Sequence, residues 1–585
     1  MKRVKQILAV ARPFLRPLII AVVLTGGLTL IGMAPPLLMR RLINDVAREG
    51  NWGIFPLVMA LLFAVPVLRA VVNVANSLTL NGINLGIIRR LRRRMFRHLM
   101  RLSMRFYGQT PVGGINQRLM GDVGTVSGLL TGGLISLLTD IIAVGFAVSV
   151  MLGLSWKLSV LTFALLPLYY LNYRFFSRRI RQTTAQLRTH MDHVSATLQE
   201  RLSAHELIQS YGQEKEELTH FSSRARQIMD SAVRGSTYNI SFNQLSAFIN
   251  KIGNTAIYCA GCYYFIKGSM GYGDVVAFCA YATQILGPVV RFANVANQFV
   301  QAGVSLDRIN EIMDREPAIK EEPDARPVET LLGDIEVDGV TFQYTEGQPA
   351  LKDVHLSIPA GTHVAVAGPP GAGRSTLAML LRRFYDPDEG RIDVDGEDIR
   401  RYRLRDYRAA LAMVLPESAI FDGTIRENLL YGKPDATDDR MQEVARAVGL
   451  DEFVEDLADG YETRVGTGGL KLSTGVRQQI GVARALLSDP GALIVDEATA
   501  VLDPESAANV NDAIRAAMEG RTCIIIVHRL LMARDADRVV VMEDGTVEQA
   551  GTHEELVRQP KSLYRRIFSR QYGEDRLPPV AAEED

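Results

Sequence analysis

A chain of 585 residues exceeds a single domain at about one domain per ~150 residues, and its 47% hydrophobic and 22% charged content excludes a disordered, collagen-like or low-complexity polymer. The net charge of zero hides a split: residues 1–305 carry 32 Lys and Arg against 12 Asp and Glu, and residues 306–585 carry 33 against 53. The basic half is also the apolar half, which argues against nucleic acid as its partner, and four cysteines (Cys259, Cys262, Cys279, Cys523) are too few for a disulfide scaffold.

In chain order, the first half is a series of runs almost free of charge. Pro17–Met39 has no acid or base, Gly53–Ile88 has only Arg69, and Val123–Trp156 has only Asp140. Leu158–Tyr173 has none, Gly235–Ile266 has only Lys251, and Val275–Leu306 has only Arg291. Runs of this length cross a bilayer core of ~30 Å. They predict six membrane helices, at about 17–40, 54–80, 131–155, 158–177, 242–266 and 274–300, several continuing into water. Cys259 and Cys262 form a CxxC inside such a run and read as packing residues. Lys2, Arg3, Lys5, Arg12 and Arg16, and the Arg-rich segments after helices 2 and 4, predict a cytoplasmic N-terminus, two long cytoplasmic loops and a cytoplasmic C-terminal half. The membrane expected is a bacterial inner membrane. Arg69, Asp140, Lys251 and Arg291 lie roughly 22–27 Å from the outer helix ends at 1.5 Å per residue. They either snorkel or pair internally, Asp140 with Arg69 or Lys251, or line a cavity for an amphiphile; three cations against one anion favour an anionic head group, with cationic or neutral drugs as the alternative.

Residues 306–333 read as a linker, with Glu316-Pro317, Glu322-Pro323 and Arg326-Pro327 as breakers. Residues 334–572 read as an α/β domain of short apolar strands alternating with helices, and 573–585 as a disordered tail. His363–Ala367 is strand-like; Gly368-Pro-Pro-Gly371-Ala-Gly373-Arg374-Ser375-Thr376 follows, then a helical run. Strand, Gly-rich loop and helix make a phosphate cradle, with Ser375 suited to Mg²⁺. Ala492–Val495 is an apolar strand ending in Asp496, suited to the Mg²⁺ shell, and Glu497, suited to polarise an attacking water. Cys523–Val527 is a third strand, ending in His528, placed for a γ-phosphate. Tyr344 reads as an adenine-stacking ring or a plain strand aromatic, and His528 alone could be a cap.

Together these residues resemble the nucleotide-binding domain of ATP-binding-cassette (ABC) transporters. Leu472-Ser473-Thr474-Gly475-Val476, followed by Arg477-Gln478-Gln479, is similar to the family's signature loop, and Val501-Leu502-Asp503 to its D-loop. Phe421 to Asn428 is similar to the segment after the Q-loop. Phe106–Asp122 and Leu198–Glu214 resemble the two coupling loops of the family's six-helix exporter domain, and Gly273–Phe278 the start of its sixth helix. The resemblance implies an all-α membrane domain fused to an α/β P-loop ATPase. It implies ATP and Mg²⁺ as cofactors, and ATP held by Tyr344, Gly368, Gly371, Gly373, Arg374, Ser375 and Thr376, with Leu472, Ser473, Gly475 and Asp503 serving the facing site. It also implies ATP-driven export or flipping of a lipid, drug or peptide-like amphiphile by a dimer of such chains.

Four departures from the family pattern bear on hydrolysis. Arg374 stands for Lys, Pro416 for the Q-loop Gln, Thr474 and Val476 for Gly and Gln of the signature, and Thr467 for an acid before it. Glu497 and His528 remain. This mixture favours a heterodimer, in which another half-transporter supplies an intact signature loop; a slow homodimer stays open. A membrane-anchored ATP-binding regulator is the competing class, an importer fits the fused order poorly, and a soluble ATPase of the superfamily is excluded by the six runs.

Overall fold

The computed structural model describes residues 12–573, except residues 470, 498, 500, 501 and 503 and the side chains at 196, 286, 289, 290, 293, 294 and 467. The anticipated tail beyond Gly573, and Lys2, Arg3 and Lys5, lie outside the described residues. The chain forms two units: Met1–Met100 with Gly113–Asp314, and Arg101–Val112 with Arg315–Asp585.

The first unit is built from six long helices: α1 (Leu15–Arg41), α2 (Phe55–Leu99), α3 (Leu134–Leu154), α4 (Leu166–Ser203), α5 (Glu214–Ile266) and α6 (Tyr272–Met313). In lipid a helix satisfies every backbone N–H and C=O within its own segment, so charge-poor runs of this length adopt it. The 53 residues of α5 reach ~80 Å, far more than a bilayer core needs, and its first turn carries Glu214, Glu216 and Glu217, as a helix beginning in water does. Large apolar side chains stay uncovered, Phe63 at 73%, Val67 at 65% and Leu78 at 68% exposure. A water-soluble monomer buries such side chains, and a surface this apolar is one that lipid or a second chain covers.

By length and composition alone, three helical stretches among the described residues are long and apolar enough to cross a membrane: Arg12–Arg48, Phe55–Leu99 and Val112–Leu154. The remaining long helices are diluted by polar residues, such as Asn172 and Arg174 in α4, Asn250, Lys251 and Asn254 in α5, and Gln284 and Arg291 in α6. The fourth expected run is also split. Pro167 occupies the first turn of α4, and a separate short helix, Trp156–Phe163, precedes it. A proline is tolerated in a first turn, where its missing N–H costs nothing, but it cannot continue the helix before it. Met33, Met151, Ile257, Phe278 and Tyr281 pack into one cluster that ties α1, α3, α5 and α6. The Tyr281 hydroxyl donates to the carbonyl of Met33.

The described residues of the second unit form two sheets. Strands β1 (Ile335–Thr345), β2 (Gln348–Ile358), β4 (Glu389–Val394) and β5 (Glu397–Asp398) form an antiparallel sheet in the order β2-β1-β4-β5. The other sheet has the order β10-β9-β3-β8-β7-β6, with β3 (His363–Ala367), β6 (Leu411–Val414), β7 (Ala492–Asp496), β8 (Thr522–Ile526), β9 (Arg538–Glu543) and β10 (Thr546–Gly551). Neighbours from β9 through β6 are parallel, and β10 is antiparallel to β9. Strands β7 and β8 are buried along their whole length, as their unbroken apolar runs require of a sheet covered on both faces. Four helices matter below: α7 (Arg374–Leu381), α8 (Thr474–Leu487), α9 (Pro504–Met518) and α10 (Leu563–Tyr572).

Two boundaries differ from the sequence reading. Helix α6 runs eight residues past 305, to Met313, because its amphipathic end keeps helical periodicity after the apolar run stops. The stretch Arg101–Val112, read as part of a coupling loop of the membrane domain, groups with the second unit. There Phe106 is buried under the Arg315 guanidinium, 5.7 Å from its ring, and Arg105 Nη2 donates to the Tyr344 carbonyl at 3.3 Å.

Candidate nucleotide site

Strands β3, β8 and β7 are neighbours, and their carboxyl ends bring the candidate residues together. The crevice outside the carboxyl ends of parallel strands is where open α/β sheets bind ligands. From β3 the chain enters the loop Gly368–Gly373 and then α7. Gly368 (φ 155°), Gly371 (φ 83°) and Gly373 (φ 95°) take conformations that side chains resist. A Cβ on Gly368 would stand 2.2 Å from the Met542 carbonyl oxygen, and one on Gly373 2.7 Å from that of Ala350. The glycines therefore let the loop pass close against the Met542 and Ala350 carbonyls.

Arg374 opens α7 and is 6% exposed. Its Nη1 donates to the Val527 carbonyl at 2.6 Å, and its Nη2 donates to His528 Nε2 at 2.9 Å. Burial lowers the pKa of this guanidinium, against the opposing charge of Asp496. Ser375 Oγ donates to Asp496 Oδ1 at 3.3 Å, and Asp496 is 2% exposed. Burial pushes the Asp496 carboxyl above its ordinary value, with Ser375 and Arg374 pulling it back. An all-oxygen pair with a buried carboxylate fits a hard divalent cation such as Mg²⁺. Glu497 follows with φ 48°, a left-handed conformation for a non-glycine residue, and its Oε1 contacts His528 Nε2. His528 is held below the usual imidazole value, first by burial and then by the Arg374 charge. Tyr344 stands at the edge of this group. Its hydroxyl donates to Thr376 Oγ1 at 3.2 Å, and its ring meets Phe342 and Tyr385 edge-on, with centroids 5.0 and 5.3 Å away.

The signature residues find their partners elsewhere. Leu472 and Val476 are buried in the large apolar cluster of the domain. Ser473 caps α8, its Oγ accepting from the Val476 amide at 3.2 Å. Gly475 lies so close to Ser506 that a Cβ would meet it at 2.9 Å. Asp503 lies outside the described residues. Two residues without an assigned role in the sequence do work at this level. Gln478 on α8 donates to the Leu415 and Pro416 carbonyls at 2.7 and 3.1 Å and accepts from the Ser418 amide at 3.3 Å, so it grips the backbone where Pro416 stands for glutamine. Gln571 holds the backbone around His528. Neither was findable from spacing, since both act through contacts tens of residues away.

Comparison with known proteins is decisive. The family model for the ABC transporter transmembrane region matches residues 18–289, and the ABC transporter model matches residues 351–500. The chain belongs to the ABC transporter family. It is 33% identical over 577 residues, 97% of its length and 98% of the relative's, to YgaD of Bacillus subtilis, provisionally named a multidrug export ATP-binding/permease protein. It is 31% identical over 546 residues, 93% of its length and 95% of the relative's, to the ATP-dependent lipid A-core flippase of Desulfotalea psychrophila. A solved bacterial Atm1-family ABC exporter with ATP bound superposes with a TM-score of 0.79 at 26% identity, covering 96% of this chain and 99% of that one. This ABC chain is thus an integral membrane exporter half-transporter that binds ATP, couples its hydrolysis to transport and works as a dimer.

Within the exporter's membrane unit, one of the four candidate charges has a partner that the sequence reading did not name. Asp140 on α3 pairs with Arg291 on α6, not with Arg69 or Lys251. Arg291 Nε lies 3.1 and 2.8 Å from the two Asp140 oxygens, and Nη2 lies 2.6 Å from Oδ1. This forked pair neutralises itself, so three cations against one anion reduce to Arg69 and Lys251, neither in an ion pair among the described residues. The Arg69 guanidinium lies against Gly32, where a Cβ would come within 3.3 Å, and Lys251 is exposed on α5.

Proposed function

We propose that this half-transporter pairs with a different half-transporter and exports or flips an anionic amphiphile, with its own P-loop cluster as the hydrolytic site and its signature loop serving the partner's. The observation that carries the reading is the convergence of Arg374, Asp496, Glu497 and His528 at the ends of β3, β7 and β8, while the position of the signature glutamine holds Val476, buried in the apolar core. The loop amides of Gly368–Gly373 and the start of α7 bind the phosphates, and Arg374 supplies the charge a lysine supplies elsewhere. Ser375 and Asp496 would hold Mg²⁺, which would neutralise phosphate charge. Glu497 orients the attacking water and accepts its proton, and His528 contacts the γ-phosphate. Tyr344 lies beside the adenine. Gly475 and Ser473 retain a contact for the partner's nucleotide; Val476 does not.

In the membrane, Arg69 and Lys251 favour a negatively charged head group, and the named activity of the lipid A-core flippase is compatible with such a cargo. The membrane is a bacterial inner membrane, with the N-terminus and the ATPase domain in the cytoplasm. The test is Glu497→Gln in the purified chain. ATP binding should persist while hydrolysis falls by at least about 100-fold, as expected on removing a general base. Unchanged hydrolysis would reject the assignment. For the cargo, in the assembly with a half-transporter that carries an intact signature loop, Arg69→Ala with Lys251→Ala should abolish stimulation of ATP hydrolysis by anionic lipids; unaltered stimulation would reject the anionic class.

A further inference from the structure

Beyond β8 the chain leaves the sheet at Val527 and bends at His528 and Arg529, and two successive carbonyls there are held by different elements. The Val527 carbonyl accepts from Arg374 Nη1 at 2.6 Å. The His528 carbonyl accepts from Gln571 Nε2 at 2.6 Å. The same Gln571 amide accepts from the Leu530 N–H at 3.2 Å, and Tyr572 Oη accepts from the Leu531 N–H at 3.4 Å. Gln571 thus fastens both ends of the three-residue segment His528–Leu530 with one side chain.

The anchor behind it is firm. Leu563, Tyr564 and Phe568 of α10 are buried in the main apolar cluster, and Tyr564 Oη bonds His553 Nδ1 at 2.7 Å. The space between the segment and its surroundings is not filled by side chains. A cavity of about 460 Å³ opens there, lined by Thr499, Asn511, His528, Met532 and Gln571. Leu530 packs into the main apolar cluster, whereas the His528 backbone beside the cavity is held by the Gln571 hydrogen bond.

We propose that Gln571 is a positioning residue for hydrolysis: the C-terminal helix α10 holds His528 in place through the Gln571 amide when Arg374 leaves it. This rests on the reading that Arg374 turns to the phosphates and His528 meets the γ-phosphate. Once nucleotide draws the Arg374 fork away from the Val527 carbonyl, the grip on one side is gone and that of Gln571 remains. A lysine in place of Arg374 lacks the fork that reaches Val527 and His528 together, so the arrangement belongs to this chain's own departure from the family pattern.

The test uses the full chain in lipid discs with ATP and Mg²⁺. Gln571→Leu keeps the bulk and removes both bonds. Single-turnover hydrolysis should slow about three- to tenfold, the range for losing one or two hydrogen bonds, with the ATP concentration for half-maximal rate changed less than twofold. The slowing should vanish in a His528→Ala background, which a general loss of folding would not do. Hydrogen exchange at the Leu530 amide should accelerate by a similar factor. Unchanged hydrolysis, an equal slowing in the His528→Ala background, or a rise in the half-maximal ATP concentration matching the loss of rate would each overturn the proposal. If His528→Ala alone left hydrolysis intact, the underlying reading of His528 would fall instead, and Leu530 exchange would report separately whether the clamp exists.

Discussion

Replacing Asp140 by Asn tests the ion pair inside the membrane unit. The Asp140 side chain is 9% exposed and that of Arg291 is 51%. Exposed pairs contribute ~0–1 kcal/mol, and breaking a fully buried pair costs about 3–5 kcal/mol. With one partner buried and the other half in the open, where its guanidinium can reach new acceptors, the loss should be about 2 kcal/mol. At about 2–4 °C per kcal/mol for a large domain, the unfolding midpoint should fall by about 4–8 °C. The assay is thermal unfolding of the full chain in lipid discs. Asp140→Asn, Arg291→Gln and the double variant complete a cycle that isolates the pair. The double variant should recover most of the loss, because removing both charges leaves no unpaired ion. Additive single effects, with a coupling below about 0.5 kcal/mol, would show that the fork Arg291–Asp140 stabilises nothing.

Three further outcomes follow from the ATPase unit. Gly368→Ala places a Cβ 2.2 Å from a carbonyl oxygen at a backbone φ of 155°; clash and strain together should cost about 3 kcal/mol and abolish ATP binding, and retained binding would contradict the fit described for the loop. Cys523 is fully buried and its thiol pushed up to about 12, so alkylating reagents should label it only after unfolding, whereas labelling of the native chain would contradict its burial. The variant R374K/P416Q/T474G/V476Q should hydrolyse ATP faster than the native chain, although the buried V476Q amide should cost about 1–3 kcal/mol of stability; no gain would mean that these four residues do not set the rate.

His528 also sets a pH dependence. Its pKa is depressed by burial and by Arg374, so the ring stays neutral below the ordinary imidazole value of ~6.5. A group with a depressed pKa favours the folded chain above the unfolded value, and that contribution is lost as pH falls through the folded one. Hydrolysis should therefore stay level as pH falls to about 6.5 and decline only below it. A decline beginning above pH 7 would contradict the depressed value.

The ATPase motifs were legible because each is a run of neighbours: Gly368 to Thr376, Ala492 to Glu497, Cys523 to His528. Short-range spacing fixes their local shape, whereas the order β3-β8-β7 that brings them together is set by long-range pairing that the runs do not announce. The membrane helices were legible in place but not in length. Charge-poor runs mark where lipid begins and ends, whereas α5 begins 28 residues before its expected start at 242, with a polar surface that carries no such mark. Pairings across the chain were not legible. Asp140 and Arg291 are 151 residues apart, and which face each helix turns inward decides whether they meet. Arg374 could be read as a changed charge, but not as one folded onto Val527 and His528. The grouping of Arg101–Val112 with the ATPase unit depends on a tertiary contact at Phe106 that a six-residue helix cannot announce.

The account's central claim is that this chain carries a competent hydrolytic cluster but a signature loop too weak to complete a site with its own copy. ATP turnover by the purified chain alone in lipid discs, with and without added anionic amphiphile, tests it most directly. The account predicts slow turnover that the amphiphile barely raises, and a marked rise when a half-transporter with an intact signature loop is added. Brisk, amphiphile-stimulated turnover near the ~10 s⁻¹ of an ordinary enzyme, from the chain alone, would contradict it.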